Sequence, residues 1–169
     1  GLAAGWEICF AATGQRGDYS ADLAALSVRC QDIQLNDSRF DAFIAAENPD
    51  LVVFDRFLVE EQFAMRVAQQ CPRAIRVLDT SDLHFLRRAR MTAINKNEEV
   101  DLYTDDMLRE IAAIGRSDLT LVISDFEMSL LQESFDIKKD ILHYCPFMLP
   151  DPPVASSVPS FSERKDFVM

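Results

Sequence analysis

The chain has 169 residues, which is enough for one domain with a buried core. Hydrophobic residues make up 49% of the sequence and charged residues 27%, a balance that excludes a disordered chain. The net charge is −11, and because a field of that sign repels polyphosphate, the charge argues against nucleic acid as a partner.

The first half of the chain alternates apolar runs typical of strands with segments that have a helical period. A loop containing Gly14 follows the first strand, and an amphipathic stretch over 20–28 comes next. Apolar runs predict strands near 6–11 and 51–54, and a short strand over 33–35. The spacing of apolar side chains predicts helices over 38–47 and 58–71.

The second half continues the alternation. Strands are predicted near 74–78, 119–123 and 141–145, and helices over 83–94, 102–116 and 125–135. The polar segment 95–99 is expected to be mobile. Alternating strands and helices favour an α/β fold, with a Rossmann-like, open and mainly parallel sheet and helices on both faces.

The texture of the sequence changes near its C-terminal end. A Pro- and Ser-rich stretch over 149–165 is typical of a semi-rigid linker, and a new apolar run begins at 166–169. We expect a Rossmann-like domain over 1–148 that lacks its first strand, then the linker, then the start of a second domain. Four isolated cysteines without a Cys-x-x-Cys pair favour a reducing, cytoplasmic setting.

Polar side chains follow three of the predicted strands, in the segments 55–56, 79–84 and 124–127. In an open parallel sheet, the loops at the carboxyl ends of the strands form the ligand site. The segment 79–84 places Asp79, Ser81, Asp82 and His84 there, and a basic helix follows. We therefore expect the three loops to converge on a functional rim.

Structural roles remain open for most of these residues. Asp82 can cap the following helix and Asp79 can accept hydrogen bonds from loop amides. Asp79, Asp82 and His84 together form a less favoured metal-ligand set. Ser124 and Glu127 have the spacing of a capping box. Arg56 can form a local ion pair with Asp55.

A second open question concerns Arg87, Arg88 and Arg90, a positive cluster on an acidic chain. A helix start with guanidinium groups can hold a phosphate group. The alternative is a solvated helix face whose arginines pair with acidic residues nearby; these are Glu98, Glu99 and Asp101.

Three segments in order carry a resemblance to a known family. They are the strand, loop and helix start over 79–87, which contains Asp-Thr-Ser-Asp-Leu-His, then 123–127, which contains Ile-Ser-Asp-Phe-Glu, and the Pro-rich hinge over 142–153. The chain resembles the N-terminal domain of GT-B glycosyltransferases of the family 4 type. That family often has His at the position of Ser81, and the nearby imidazole here belongs to His84.

The resemblance implies the acceptor-side domain of an enzyme that transfers a sugar from a nucleotide sugar to a hydroxyl acceptor, either a glycan or a lipid-linked saccharide. The nucleotide sugar would bind mainly to a C-terminal domain, no metal or other cofactor would be needed, and the full-length protein could associate peripherally with a membrane. His84 and Asp82 would have catalytic roles. Substrate-binding roles would fall to Asp79, Ser81, Arg87, Arg56, Ser124 and Glu127.

Two other function classes fit the same pattern. A doubly wound regulatory or ligand-binding domain is one, although a receiver domain would need an acidic pair after its first strand and a Lys after its last. A metal-dependent hydrolase built on Asp79, Asp82 and His84 is the other.

Overall fold

The computed structural model describes residues 4–14, 17, 20–148 and 160–163. Its strands are β1 (Cys9–Ala12), β2 (Arg29–Asp32), β3 (Leu51–Asp55), β4 (Ile75–Asp79), β5 (Leu119–Val122) and β6 (Leu142–Tyr144). Its helices are α1 (Arg39–Glu47), α2 (Arg56–Gln70), α3 (His84–Lys96), α4 (Asp105–Arg116) and α5 (Asp125–Phe135), with short 3-10 turns at Lys139–Ile141 and Phe161–Glu163.

The larger sheet has four parallel strands in the order β3-β4-β5-β6. Helices connect its successive strands, because a parallel pair needs a crossover connection. The predicted α/β class, with a Rossmann-like open parallel sheet flanked by helices, is confirmed. Instead of one continuous sheet, however, the described strands form two, since β1 and β2 pair in parallel only with each other.

The core lies between the four-stranded sheet and its helices. Phe54 of β3 and Leu78 of β4 are adjacent in register and almost completely buried. Phe63 and Val67 of α2 occupy one stripe of that helix, four residues apart, and join the same cluster. The apolar face of the helix, whose residues recur about every 3.6 positions, therefore packs against one face of the sheet, where every second residue of a strand points. Together they form a single apolar core.

Three helices end at a residue with left-handed backbone geometry. Asn48 follows α1 with φ of 42°, Asn97 follows α3 with φ of 55°, and Asp136 follows α5 with φ of 52°. Asn and Asp adopt this conformation more readily than other non-glycine residues. The predicted break over 95–99 therefore begins later, because α3 continues to Lys96 before Asn97 ends it.

The predicted short strand over 33–35 is wrong. The strand in this region is β2, which ends at Asp32, and Ile33 follows it as a buried core residue. All four side chains of β2 are exposed, so no apolar run marks it in the sequence. The amphipathic stretch over 20–28 forms neither a helix nor a strand. It contains a turn, and β2 begins directly after it.

The C-terminal predictions fall largely outside the described residues. Of the expected linker over 149–165, only 160–163 is described, and 166–169 is not. Among the helices of the described part of the chain, none is both long and apolar enough to cross a membrane.

Candidate functional site

The carboxyl ends of neighbouring strands bring the predicted loops to one edge of the larger sheet. Asp55, the last residue of β3, is the register partner of Asp79, the last residue of β4. Asp79 in turn is the register partner of Leu121 in β5, just before the loop that contains Ser124. The three segments singled out in the sequence therefore follow adjacent strands at the same rim.

Arg56 lies at this rim in an unusual conformation. Its φ is 71°, a value that non-glycine residues seldom adopt, at the junction of β3 and α2. Its Nε atom is 3.1 Å from Asp55 Oδ1, and this neighbouring carboxylate raises the pKa of the guanidinium group. The local ion pair considered from the sequence is thus present, and both side chains are solvent-accessible.

The β4–α3 loop, residues 80–83, is a tight turn stabilised by its own hydrogen bonds. The Ser81 amide donates to Asp79 Oδ1 at 2.8 Å, and the Thr80 hydroxyl donates to the Leu121 carbonyl at 2.9 Å. Ser81 has φ of 57°, a second left-handed residue at the rim. Backbone strain of this kind persists only where surrounding contacts hold it, and it is concentrated at functional sites.

Asp82 contacts two side chains of α3 instead of capping that helix. Its Oδ2 accepts a hydrogen bond from Arg87 Nε at 2.7 Å, and its Oδ1 lies 3.3 Å from His84 Nε2. The capping role considered from the sequence is wrong, because α3 has no side-chain cap from its own N-terminal residues. Asp82 is about one-third exposed, so it remains accessible at the rim.

His84 is buried behind Asp82. Its imidazole is 6% exposed and packs edge-on against Phe57, with ring centroids 5.8 Å apart. Burial lowers the pKa of His84, while the Asp82 carboxylate acts in the opposite direction. Nδ1 has no hydrogen-bond partner among the described residues. The imidazole is therefore neutral near pH 7 and reaches the rim only through its contact with Asp82.

Two buried glutamates from other helices cap the N-terminus of α3. Glu127 Oε1 accepts the amide of Leu83 at 3.0 Å. The two carboxylate oxygens of Glu110 accept the amides of His84, at 3.2 Å, and Phe85, at 2.9 Å. These are the amides that a helix leaves without intrahelical partners.

This arrangement corrects the expectation that the start of α3 binds phosphate. A helix N-terminus attracts anions through its free amides and its dipole. Here the carboxylates of Glu110 and Glu127 occupy those amides, so an external phosphate would have to displace a buried side chain. The cationic groups of α3 that remain for an anion are the guanidinium groups further along the helix and Lys96 in its last turn.

Glu110 is completely buried, and burial is the main cause that raises its pKa to about 7. The amide hydrogen bonds from Phe85 and His84 favour the charged form and limit that increase. The cap therefore changes its charge close to neutral pH.

Ser124 forms half of the predicted capping box. Its hydroxyl accepts the amide of Glu127 at 3.2 Å, as expected for a helix N-cap. The Glu127 carboxylate, however, accepts the amide of Leu83, the residue just before α3, instead of returning to Ser124. Both residues thus have a structural hydrogen bond, and Glu127 connects the two loops of the rim.

The arginines of α3 do not pair with 98, 99 or 101 as considered from the sequence. Arg87 binds Asp82, and Arg88 donates to Asp106 Oδ2 at 2.6 Å. The Arg90 guanidinium lies over the ring of Phe126, 5.0 Å from its centroid, and forms no ion pair with a described residue. The cluster therefore divides into two paired cations and one stacked on an aromatic ring.

An open groove of about 420 Å³ runs along α3 from this rim. That size lies in the range of about 300–1,000 Å³ that is usual for small-molecule sites. Its walls are formed mostly by α3, with one residue from α5; the lining residues are Asp82, Leu83, Leu86, Arg87, Arg90, Met91, Ile94 and Glu127.

Glu110 and Glu60 are the buried acidic residues that the sequence interpretation missed. Glu110 shares the buried stripe of α4 with Met107 and Ile114, and Glu60 lies on the buried stripe of α2. Glu60 is held by the Arg116 guanidinium, with Nε 3.0 Å from Oε1. A glutamate at an apolar position of the helical period was the signal that could have identified both.

The described residues contain no group of three or more His, Cys, Asp or Glu side chains placed to hold a metal ion. Asp79 in particular is engaged with the Ser81 amide. Comparison with known proteins finds no matching family model, no similar curated protein and no similar solved structure. The geometry of the rim and its groove therefore carries the functional argument.

Proposed function

We propose that the chain is the acceptor-side domain of a GT-B glycosyltransferase, which transfers a sugar from a nucleotide sugar to a hydroxyl acceptor. One observation carries the proposal: the accessible Asp82 carboxylate is fixed between Arg87 and His84 at the carboxyl edge of a parallel sheet. Ligands of open α/β sheets bind at this edge. The resemblance of 79–87 to the family motif gives the reaction class.

In the proposed mechanism, Asp82 accepts a hydrogen bond from the acceptor hydroxyl and orients it towards the donor carbon. As the new bond from the hydroxyl oxygen to that carbon forms, the bond from the carbon to the nucleoside diphosphate breaks, the diphosphate leaves, and Asp82 takes up the hydroxyl proton. Its own orientation is fixed by Arg87 Nε on one oxygen and by His84 Nε2 near the other. Fixing a nucleophile at about 3–3.5 Å from the reacting carbon removes much of the entropic barrier to transfer.

The remaining predicted residues divide by their contacts. Arg56 and Arg87 are exposed cations at the rim and are proposed to contact an anionic group of a substrate. Asp79, Ser124 and Glu127 each form an internal hydrogen bond and are proposed to hold the loops in place. The nucleotide sugar is assigned to a separate C-terminal domain, without a metal ion, in a cytoplasmic protein.

The test measures nucleoside diphosphate release by the full-length protein from a panel of UDP-, GDP- and ADP-sugars. Asp82→Asn keeps the size of the side chain and should reduce the rate by about 100-fold or more, the usual contribution of a positioned acid–base group. His84→Gln, which avoids the cavity of an alanine variant, should produce a smaller loss because it acts through Asp82.

Asp118→Asn is the matched control. Asp118 is an exposed carboxylate just before β5, at the opposite end of the sheet, where it pairs with Arg76 at 3.0 Å. It should keep the parent rate. The proposal is wrong if Asp82→Asn also keeps the parent rate, or if none of the sugar nucleotides in the panel is cleaved. A ligand-binding domain without transferase activity is then the better interpretation.

A further inference from the structure

The groove along α3 exposes an apolar surface that the proposed transfer reaction does not explain. Leu83, Leu86, Met91 and Ile94 recur at helical spacing along its floor. Met91 is 52% exposed and Ile94 is 80% exposed, and the neighbouring Phe126 at the start of α5 is 55% exposed. Contiguous exposed apolar side chains rimmed by polar ones mark a binding surface.

The charged side chains that line the groove differ in whether they have a partner of opposite charge or a hydrogen-bond partner. Asp82 is paired with Arg87, and Glu127 accepts the Leu83 amide through Oε1, although its Oε2 has no partner among the described residues. Arg90 is the lining cation without a carboxylate partner in the described structure, and its guanidinium stacks on Phe126 instead. A guanidinium in that setting can form bidentate hydrogen bonds to a phosphate or carboxylate group.

We propose that this groove binds one amphiphilic anion, with its apolar chain along Met91 and Ile94 and its phosphate group at Arg90. The inference deepens the proposed function, on which it rests, by making the acceptor a phosphorylated amphiphile whose hydroxyl lies near Asp82. The chain carries a net charge of −11, and two carboxylates line the groove. An anionic bilayer would meet this negative charge over an extended surface, whereas a single ligand needs to place only one anionic group, at Arg90, so the bilayer is the less favoured occupant.

Calorimetric titration of the full-length protein, without a sugar donor, tests whether the groove binds an amphiphilic anion. The probe is decyl phosphate below its micelle concentration, and the comparison ligands are inorganic phosphate and the neutral decyl maltoside. Decyl phosphate should bind at least about tenfold more tightly than either, because each comparison ligand lacks one of the two contacts. Phosphatidylcholine vesicles containing phosphatidylglycerol should not bind.

Variants then locate the site. Arg90→Gln and Ile94→Ser should each weaken decyl phosphate binding by about five- to tenfold, as expected for loss of one charge-assisted bond or of a few buried methylenes. Both side chains are exposed, so folding should be unaffected. Arg73→Gln and Leu108→Ser, at exposed positions outside the groove, are matched controls and should bind as the parent does.

The inference is overturned if decyl phosphate fails to bind, if the groove variants bind it like the controls, or if only the vesicles bind. The readout is independent of transfer, so the two proposals fail separately. Donor cleavage that depends on Asp82, without decyl phosphate binding, would contradict only the assignment of the groove to an amphiphilic anion. Decyl phosphate binding that depends on Arg90 and Ile94, without donor cleavage, would confirm the ligand site in the groove and contradict the proposed transferase activity.

Discussion

The carboxylate of Glu110, in α4, accepts a hydrogen bond from the amide of Phe85, in the first turn of α3, at 2.9 Å. Its other oxygen accepts the amide of His84. The group is completely buried, and this burial raises its pKa to about 7 from an ordinary value of 4.5. A single side chain thus joins the rim of the sheet to a helix beneath it and titrates near neutral pH.

The stability of the fold should depend on pH through this group. Because the folded protein takes up the Glu110 proton more readily than the unfolded chain, the stabilising contribution is complete below about pH 4.5 and falls as the pH rises through about 7. Glu110→Gln cannot titrate. The free energy of unfolding of the parent, relative to this variant, should therefore fall by about 2–3 kcal/mol between about pH 5 and pH 8.

Urea denaturation at several pH values measures that difference. His84, whose pKa is lowered by burial, contributes the opposite trend, but it is present in both proteins and cancels. Glu133→Gln, at an exposed position on α5, should change the free energy of unfolding by less than about 0.5 kcal/mol. A difference between the parent and Glu110→Gln that stays constant over this range would contradict the assignment.

Removing the caps should destabilise α3 in proportion to the amides left free. Glu127→Ala leaves one amide, that of Leu83, without its acceptor and should lower the free energy of unfolding by about 1–2 kcal/mol. Glu110→Ala leaves two and also opens a cavity, so a loss of about 2–4 kcal/mol is expected. Equal losses in the two variants, measured by urea denaturation, would show that capping is not the main role.

Replacing Ser81 by glycine should stabilise the protein. Its φ of 57° is unfavourable for a side chain with a Cβ atom, and its hydroxyl makes no hydrogen bond to a described residue. Ser81→Gly should therefore raise the free energy of unfolding by up to about 1 kcal/mol. The same change at Ser129, an exposed interior position of α5, should lower it by about 0.5–1 kcal/mol. Thermal unfolding that shows the same sign for both would count against strain at Ser81.

The buried ion pair of Glu60 and Arg116 should respond asymmetrically. The Glu60 side chain is fully buried, whereas that of Arg116 is 38% exposed. Arg116→Met strands a charge in the core and should lower the free energy of unfolding by about 3–5 kcal/mol. Glu60→Gln leaves a cation that can reach water, and about 1–2 kcal/mol is expected.

Replacing both members of this pair by Met should recover most of the loss seen in Arg116→Met. Chemical denaturation of the three variants decides the matter. A larger loss in Glu60→Gln than in Arg116→Met would mean that the guanidinium, and not the carboxylate, is the group stranded by its partner's removal.

Most of the fold was accessible from the sequence because its determinants are local. Apolar runs identified β3, β4 and β5, and helical periods identified α2 and α5, with boundaries within a few residues. The exposed strand β2 was missed because it buries nothing that a hydrophobic pattern could reveal. The ends of helices depend on the backbone conformation of single residues, such as the left-handed Asn97 after α3, and a hydrophobic pattern does not reveal that conformation.

The site was accessible only in part. Topology alone brings the loops after β3, β4 and β5 to one rim, but the partner of each side chain depends on contacts distant in sequence. Glu110 meets amides about 25 residues earlier in the chain, and Glu127 meets one 44 residues earlier. No local pattern encodes such a pairing, so the sequence offered Asp82 as a possible cap for α3, whereas two distant glutamates perform that role.

The capping of α3 by later helices also constrains the order in which the chain can fold. A ribosome that has produced α3 has not yet produced α4 or α5, so the first amides of α3 have no protein acceptor at that stage. Short isolated helices are marginal in water. The rim of the sheet should therefore become ordered only after residue 127 has left the exit tunnel, which makes the proposed site one of the last parts of the domain to form during synthesis.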